Sequence, residues 1–158
     1  MVKAPSTTTA AIMLAVFLCL GSAKSFAQCV SGVDYDCSGS YSDCGHVTTG
    51  CTQSSVFQVN FSGTFTMGAR IVNCTNACDC SSCVFVEKVA SGSIIDSVES
   101  GCSVQICSNT MTLWLDTGYD YRLYVCKRPC DDEHDYSDCD EACKAEGWLV
   151  SNPGPNCP

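Results

Sequence analysis

The chain has 158 residues and a formal net charge of −9, because 17 acidic residues outnumber eight lysines and arginines. An acidic balance of this size excludes nucleic acid and anionic membrane surfaces as expected partners, since both are polyanions. Sixteen cysteines in so short a chain indicate a domain stabilised by disulfides in an oxidising compartment.

Residues 1–27 are predicted to be a secretory signal peptide. Lys3 precedes an apolar run over residues 10–20, and a small-residue cleavage site follows at Ala27, with Ala23 as a weaker alternative. The apolar run is shorter than the ~20 residues that span a bilayer, so we expect a secreted, extracellular protein without membrane insertion. Two lysines leave with the signal peptide, which makes the net charge of the mature chain −11.

Fifteen cysteines remain after the loss of Cys19, and in a secreted chain they predict a disulfide framework with one sulfur left over. The odd cysteine is a buried thiol, a thiol capped by a small molecule, or a bond to a second chain that makes a covalent homo-oligomer. The framework cysteines are Cys29, Cys37, Cys44, Cys51, Cys74, Cys78, Cys80, Cys83, Cys102, Cys107, Cys126, Cys130, Cys139, Cys143 and Cys157.

Residues 28–51 form a cysteine-rich N-terminal arm with almost no aliphatic side chains. Such a segment buries too little apolar surface to hold a shape alone. We therefore expect at least one of its cysteines to bond to the main body, residues 52–130, and each such bridge to contribute about 2–4 kcal/mol.

Residues 56–66 alternate between apolar and polar side chains, which predicts a half-buried strand with a bend at Gly63. Asn60 begins an Asn-Phe-Ser glycosylation sequon on the polar side of this strand. A second sequon begins at Asn73, although its middle residue is a cysteine.

Residues 74–83 contain four cysteines at spacings that suit either disulfides or a soft metal ion. In the secretory pathway we expect disulfides, with the cluster tying several strands together. We expect no cofactor and no metal cluster here.

Two alternating runs, residues 111–115 and 119–125, flank Asp-Thr-Gly and predict a β-hairpin with Gly118 in the left-handed conformation. In this register Leu115 lies opposite Tyr119, and extending it brings Cys107 opposite Cys126, which predicts a disulfide between them.

Short β-branched runs punctuated by glycine precede this hairpin, at residues 84–89, 94–98 and 103–106. Together they predict an all-β fold of five to seven strands: a small, disulfide-rich antiparallel β-sandwich, or alternatively an open barrel.

Trp114, Arg122 and Tyr124 share the polar face of the predicted hairpin and form a candidate ligand face, since aromatic rings stack on sugars or on a partner's apolar surface. The alternative is that they cover the core, as large side chains commonly do.

Residues 131–158 form an acidic tail that ends in a Pro/Gly-rich segment. Ser137 is a suitable N-cap for a short helix over residues 138–146, which places Cys139 and Cys143 on one helical face. Seven carboxylates lie within residues 131–141, so Asp131, Glu133 and Asp135 are candidate calcium ligands. An EF-hand is excluded, because Tyr136 and Ala142 stand where the loop requires glycine and glutamate.

His134-Asp135, four residues after Cys130, resembles the His-Asp pair in the cysteine-flanked helix of secreted phospholipases A2. This resemblance implies a helical fold and a calcium-dependent hydrolase. The chain departs from that pattern, since Ser137 replaces a cysteine and the glycine-rich calcium loop is absent.

No nucleophile motif surrounds either histidine, His46 or His134, so we expect no enzymatic activity. The pattern favours a glycosylated extracellular module with a structural, adhesive or assembly role, whose partner is an extracellular protein or polysaccharide. The alternative is a secreted binding effector such as a toxin, defence or signalling protein. A phospholipase-like hydrolase is a remote third.

Overall fold

The computed structural model describes residues 25–26, 29–34, 44–45, 50–72, 80–101, 104–128 and 143–152. These residues form ten β-strands: β1 (Ser25–Phe26), β2 (Cys29–Asp34), β3 (Thr52–Gln53), β4 (Phe57–Gln58), β5 (Gly63–Val72), β6 (Ser81–Lys88), β7 (Ser93–Gly101), β8 (Ser108–Leu115), β9 (Tyr121–Arg128) and β10 (Lys144–Ser151).

The strands make two sheets. The six-stranded sheet has the order β1-β4-β9-β6-β7, with β3 also pairing with β9, and the four-stranded sheet has the order β2-β10-β5-β8. All pairings are antiparallel except the two-residue contact between β1 and β4. The predicted all-β class is confirmed, with the strands in two largely antiparallel sheets. The predicted number of strands, five to seven, is too low, since the described residues form ten.

A single apolar core fills the space between the sheets, because each long strand turns every second side chain inward. The four-stranded sheet contributes Phe65 and Leu149, and the six-stranded sheet contributes Val84, Leu123 and Val125, all fully or almost fully buried. Burial on one face of each strand thus fixes which side chains point outward.

Most successive strands alternate between the two sheets, and this makes the predicted hairpin wrong. β8 pairs with β5 in one sheet and β9 pairs with β6 in the other, so residues 116–120 cross from sheet to sheet. Gly118 has the expected positive φ, 84°. The predicted apolar sides are buried from Leu113 to Leu115 and from Tyr121 to Val125, and they meet across the core instead of side by side. Tyr119, predicted on the same side opposite Leu115, is exposed.

Tyr121 fixes this crossing. Its buried hydroxyl donates a hydrogen bond to the carbonyl oxygen of Asp116 at 3.0 Å and accepts one from the amide of the same residue at 3.1 Å. The side chain thereby closes the turn on itself, in the manner of the tyrosine corners of β-sandwiches.

The predicted strand over residues 56–66 is likewise two strands in different sheets. Residues 59–62 lead from β4 to β5, with Val59 buried and Phe61 exposed at 40%. Residues 103–106, predicted as a strand, contribute only a bridge from Ile106 to Gly101 in the described part of the chain.

The C-terminal part of the predicted helix is wrong, because Lys144–Glu146 begin strand β10. β10 lies between β2 and β5, inside the four-stranded sheet. The earlier part of that helix, with Cys139, lies outside the described residues. The first residues of the N-terminal arm also belong to the sandwich, since β2 pairs along β10 from Cys29 to Asp34.

Three disulfides between described residues join distant parts of the chain: Cys44–Cys83, Cys51–Cys126 and Cys80–Cys143. The expected attachment of the arm to the body is confirmed, and so is the role of the cysteine cluster in tying strands together. The predicted Cys107–Cys126 bridge is wrong, because Cys126 bonds to Cys51. Cys107 and Cys29 are also disulfide-bonded.

β1 lies within the predicted signal peptide and pairs with only two residues of β4. Cleavage after Ala27 would remove it, whereas cleavage after Ala23 would keep it. No helix in the described stretches has the length and apolar character needed to cross a membrane.

Candidate functional site: the open face of the four-stranded sheet

The outer face of the six-stranded sheet is covered. Cys83 and Cys126 are neighbours across β6 and β9, and their disulfides hold Cys44 and Cys51 over this face. On the same face the ring of Phe85 stacks on the ring of Tyr124, with centroids 4.9 Å apart. This face therefore has a second, smaller apolar cluster of its own.

Two residues of the predicted ligand face lie in this covered region. Tyr124 is only 6% exposed, and its hydroxyl donates to Oε2 of Glu87 at 2.9 Å. Arg122 donates in turn to the Tyr124 hydroxyl at 3.3 Å. Both side chains thus contribute to the cover of the six-stranded sheet.

Trp114 lies on the opposite side of the molecule, because β8 belongs to the other sheet. The structure does not bring it together with Arg122 and Tyr124. Its side chain is 59% exposed, the most of any large apolar residue in the described part of the chain. The indole Nε1 donates to Oδ1 of Asp116 at 2.9 Å, which restrains the orientation of the ring.

A second tryptophan, Trp148 of β10, lies on the same outer side as Trp114. Its indole covers Gly68 of β5, where any side chain would collide with the ring. Arg70 packs 5.9 Å from the centroid of this ring and makes an ion pair with Glu146. Glycine at position 68 is therefore what allows the ring to lie against the sheet.

We call this outer surface of the four-stranded sheet the open face. Its members alternate with the buried residues of β5, β8 and β10, and pair across the strands in register. The residues of the open face are Thr64, Thr66, Gly68, Arg70, Thr110, Thr112, Trp114, Glu146, Trp148 and Val150.

The open face has the composition of a binding surface. Threonine hydroxyls both donate and accept hydrogen bonds, and tryptophan adds flat apolar area with a polar edge. Arg70 and Glu146 neutralise each other's charge. The surface can therefore form polar and stacking contacts without a large electrostatic preference.

The remaining predicted site residues divide between described and undescribed parts of the chain. Asn60 of the first sequon is exposed on the connection between β4 and β5. Outside the described residues lie Asn73, the candidate calcium ligands Asp131, Glu133 and Asp135, both histidines, and the cysteines Cys37, Cys74, Cys78, Cys102, Cys130, Cys139 and Cys157.

In the stretches that the structure describes, no group of three or more histidine, cysteine, aspartate or glutamate side chains is arranged to hold a metal ion. Comparison with known proteins gave no match, either to a family model or to a curated sequence.

Sequence reasoning missed Trp148, Arg70 and Glu146 as parts of one surface. The signal was present in the alternation of β10, where Lys, Glu, Trp and Val face out while Ala, Gly, Leu and Ser face in. Because the inward residues are small rather than uniformly apolar, and Ala, Glu and Lys favour helices, the period of two was not recognised.

Proposed function

We propose that this chain is a secreted, non-enzymatic extracellular module with an adhesive role, which binds its partner through the open face. The disulfide framework supports an oxidising environment, because such bonds persist outside the cell and are rare in the cytosol. The observation that carries the proposal is the contrast between the two outer faces. One is covered by a disulfide-held segment, while the other exposes Trp114.

An exposed, oriented tryptophan contributes little to the core, so its position is explained best by a partner. Solvent exposure of a large aromatic ring forgoes the roughly 1.5–3 kcal/mol that burial of a large apolar side chain provides. Aromatic residues are also enriched at the centres of protein interfaces. The open face is therefore where the proposed adhesion takes place.

The test is retention of the oxidised mature protein on extracellular matrix or cell-wall material from its source. We expect a variant that places two carboxylates on the open face, Thr66→Glu with Thr112→Glu, to be retained at least tenfold less than the unmodified protein. Ile95→Glu is the control, because Ile95 is exposed on the six-stranded sheet. Equal retention of both variants would contradict the proposal.

N-glycosylation at Asn60 is part of the proposal. The exposed position of Asn60, outside the pairings of β4 and β5, supports access by the glycosylation machinery. Expression in a eukaryotic secretory host should give a protein whose mass falls on treatment with a glycan-removing amidase. The variant Asn60→Gln should lose the part of this mass change that comes from Asn60. If the amidase lowers the masses of the parent and of Asn60→Gln equally, glycosylation at Asn60 is refuted.

The assembly role depends on the odd cysteine. A covalent homo-oligomer on a non-reducing gel would support it, whereas a monomer that stays soluble would favour a diffusible effector. Loss of calcium-dependent lipid hydrolysis in His134→Ala would support the phospholipase alternative.

A further inference from the structure

The open face presents two tryptophans on opposite sides of β5. Trp148 of β10 pairs with Gly68 and Trp114 of β8 pairs with Thr64, so the two paired positions lie four residues apart along β5. At roughly 3.3 Å per residue this is about 13 Å along the strand, and two strand spacings add about 10 Å across it, with the row of Thr66 and Thr112 between the tryptophans. The arrangement suits an extended ligand that crosses the strands diagonally.

The polar groups between the tryptophans match a ligand rich in hydroxyl groups. Thr66 and Thr112 are paired residues of adjacent strands, and their hydroxyls each donate and accept. On the open face two aromatic rings therefore flank hydroxyls, with no large apolar patch between them. Stacking of a ring on tryptophan together with hydroxyl contacts is how a sugar surface is matched chemically.

Charge selects among sugar polymers. The net charge of −11 on the mature chain repels anionic polysaccharides, since like-charge approach is unfavourable over the whole surface. On the open face itself, Arg70 and Glu146 form an ion pair, and the carboxylate of Asp116 beside Trp114 already accepts the indole hydrogen bond, so neither carboxylate is free to attract a basic polymer. A neutral polysaccharide is not repelled by the net charge and does not depend on attraction to free carboxylates.

We propose that the open face binds a neutral polysaccharide, with a sugar ring stacked on Trp114 and sugar hydroxyls bonded to Thr66 and Thr112. This inference rests on the proposed function, because it names the partner of the same surface. The hydrogen bond from the indole to Asp116 holds the ring in place before binding, which lowers the conformational entropy lost on association.

The experiment measures depletion of the oxidised mature protein by insoluble cellulose, chitin, mannan and β-1,3-glucan, with pectate and heparin beads as anionic comparators. We expect binding to at least one neutral polymer and at least tenfold weaker binding by Trp114→Ala. Thr112→Val, which replaces the hydroxyl by a methyl group, should weaken binding about threefold or more. Trp114→Phe keeps a ring and should retain part of the affinity.

Tyr119→Ala is the matched control. Tyr119 is an exposed aromatic residue on the connection that follows β8. Its ring lies against the ammonium group of Lys88 on the six-stranded sheet. Its removal should leave binding to the neutral polymer unchanged. Thermal unfolding of each variant identifies any loss of binding that arises from misfolding.

The outcomes separate the two proposals. Unchanged binding by Trp114→Ala, or binding only to anionic polymers, overturns the ligand assignment. Retention on native extracellular material without affinity for any neutral polysaccharide also overturns it, while the adhesive role stands. Failure to be retained on any of these materials refutes both.

Discussion

Tyr121 shows how one side chain fixes the path of the chain. Its ring packs on Phe57, with centroids 5.9 Å apart, while its hydroxyl satisfies both backbone groups of Asp116. The sequence alone places Tyr121 on the apolar side of its strand. It does not reveal the hydroxyl's partners, because these depend on the turn leaving one sheet for the other.

We predict that Tyr121→Phe lowers the free energy of unfolding by about 1–3 kcal/mol, because the backbone groups of Asp116 lose their partner while the ring contacts remain. Chemical denaturation of the oxidised protein measures the change. Tyr119→Phe is the control and should stay within about 0.5 kcal/mol of the parent. An equal effect of both substitutions would show that the hydroxyl of Tyr121 has no special role.

The same residue predicts a dependence of stability on alkaline pH. Burial raises the pKa of Tyr121 above its ordinary value of 10.0, with the carboxylate of Asp116 adding to the effect. An unfolded chain releases this proton at pH ~10, whereas the folded protein retains it to higher pH. The stabilisation is therefore complete below pH ~10 and is lost as the pH rises through the raised folded-state pKa.

The measurement is the unfolding free energy of the parent and of Tyr121→Phe across pH 8–11, on a time scale shorter than disulfide exchange. The difference between the two proteins should shrink above pH ~10. A difference that stays constant through this range would contradict the assignment.

Among the elements, β10 depends most on the close approach of the two sheets. Gly147 faces inward, and a methyl group added there would lie 2.6 Å from side-chain carbons of both Val84 and Val125. Such contacts are far inside van der Waals separation, so the six-stranded sheet would have to move. The packing of β10 against the six-stranded sheet therefore requires a small inward residue at position 147.

Gly147→Ala should therefore lower the free energy of unfolding by about 1–3 kcal/mol, as overpacking of a close-packed core does. The double variant Gly147→Ala with Val125→Ala should be more stable than the two single effects added together, because the second change makes room for the methyl group. Strict additivity of the two effects would argue against the clash.

Period-two patterns predicted most of the β-structure and its buried sides between residues 56 and 125, but not the break at residues 59–62 or the single bridge at residues 103–106. They could not predict partners, because a run that packs across a sandwich and a run that pairs in a hairpin have the same alternation. For the open face, the sequence identified Trp114. It missed Trp148 because β10, the strand that contains this residue, is rich in helix-favouring side chains.

Considered as a whole, the molecule is joined by bridges that span 39, 75 and 63 residues. The third, Cys80–Cys143, fixes the start of β10 beside the segment that leads into β6. All eight cysteines with a described bonding state are in disulfides. In a chain cleaved after Ala27, the odd thiol is therefore expected among the remaining seven cysteines.

Removal of the Cys80–Cys143 bridge by paired alanine substitution should cost about 2–4 kcal/mol, since it frees a long loop in the unfolded chain. Hydrogen exchange should then be faster in β10, which begins at the residue after Cys143, than in the β6–β7 hairpin, whose strands are close in the chain and pair with each other. Uniform protection across both regions would show that the bridge does not hold β10 in place.

The position of β10 has a consequence for the order of events during biosynthesis. Its residues 144–151 follow β2 and β5 in the chain, yet they lie between these two strands in the sheet. In the described part of the chain β2 therefore has no strand partner in its sheet until β10 has been made. We infer that the four-stranded sheet closes only after residue 151 is free to pair, so truncation before residue 144 should leave a product that proteases degrade.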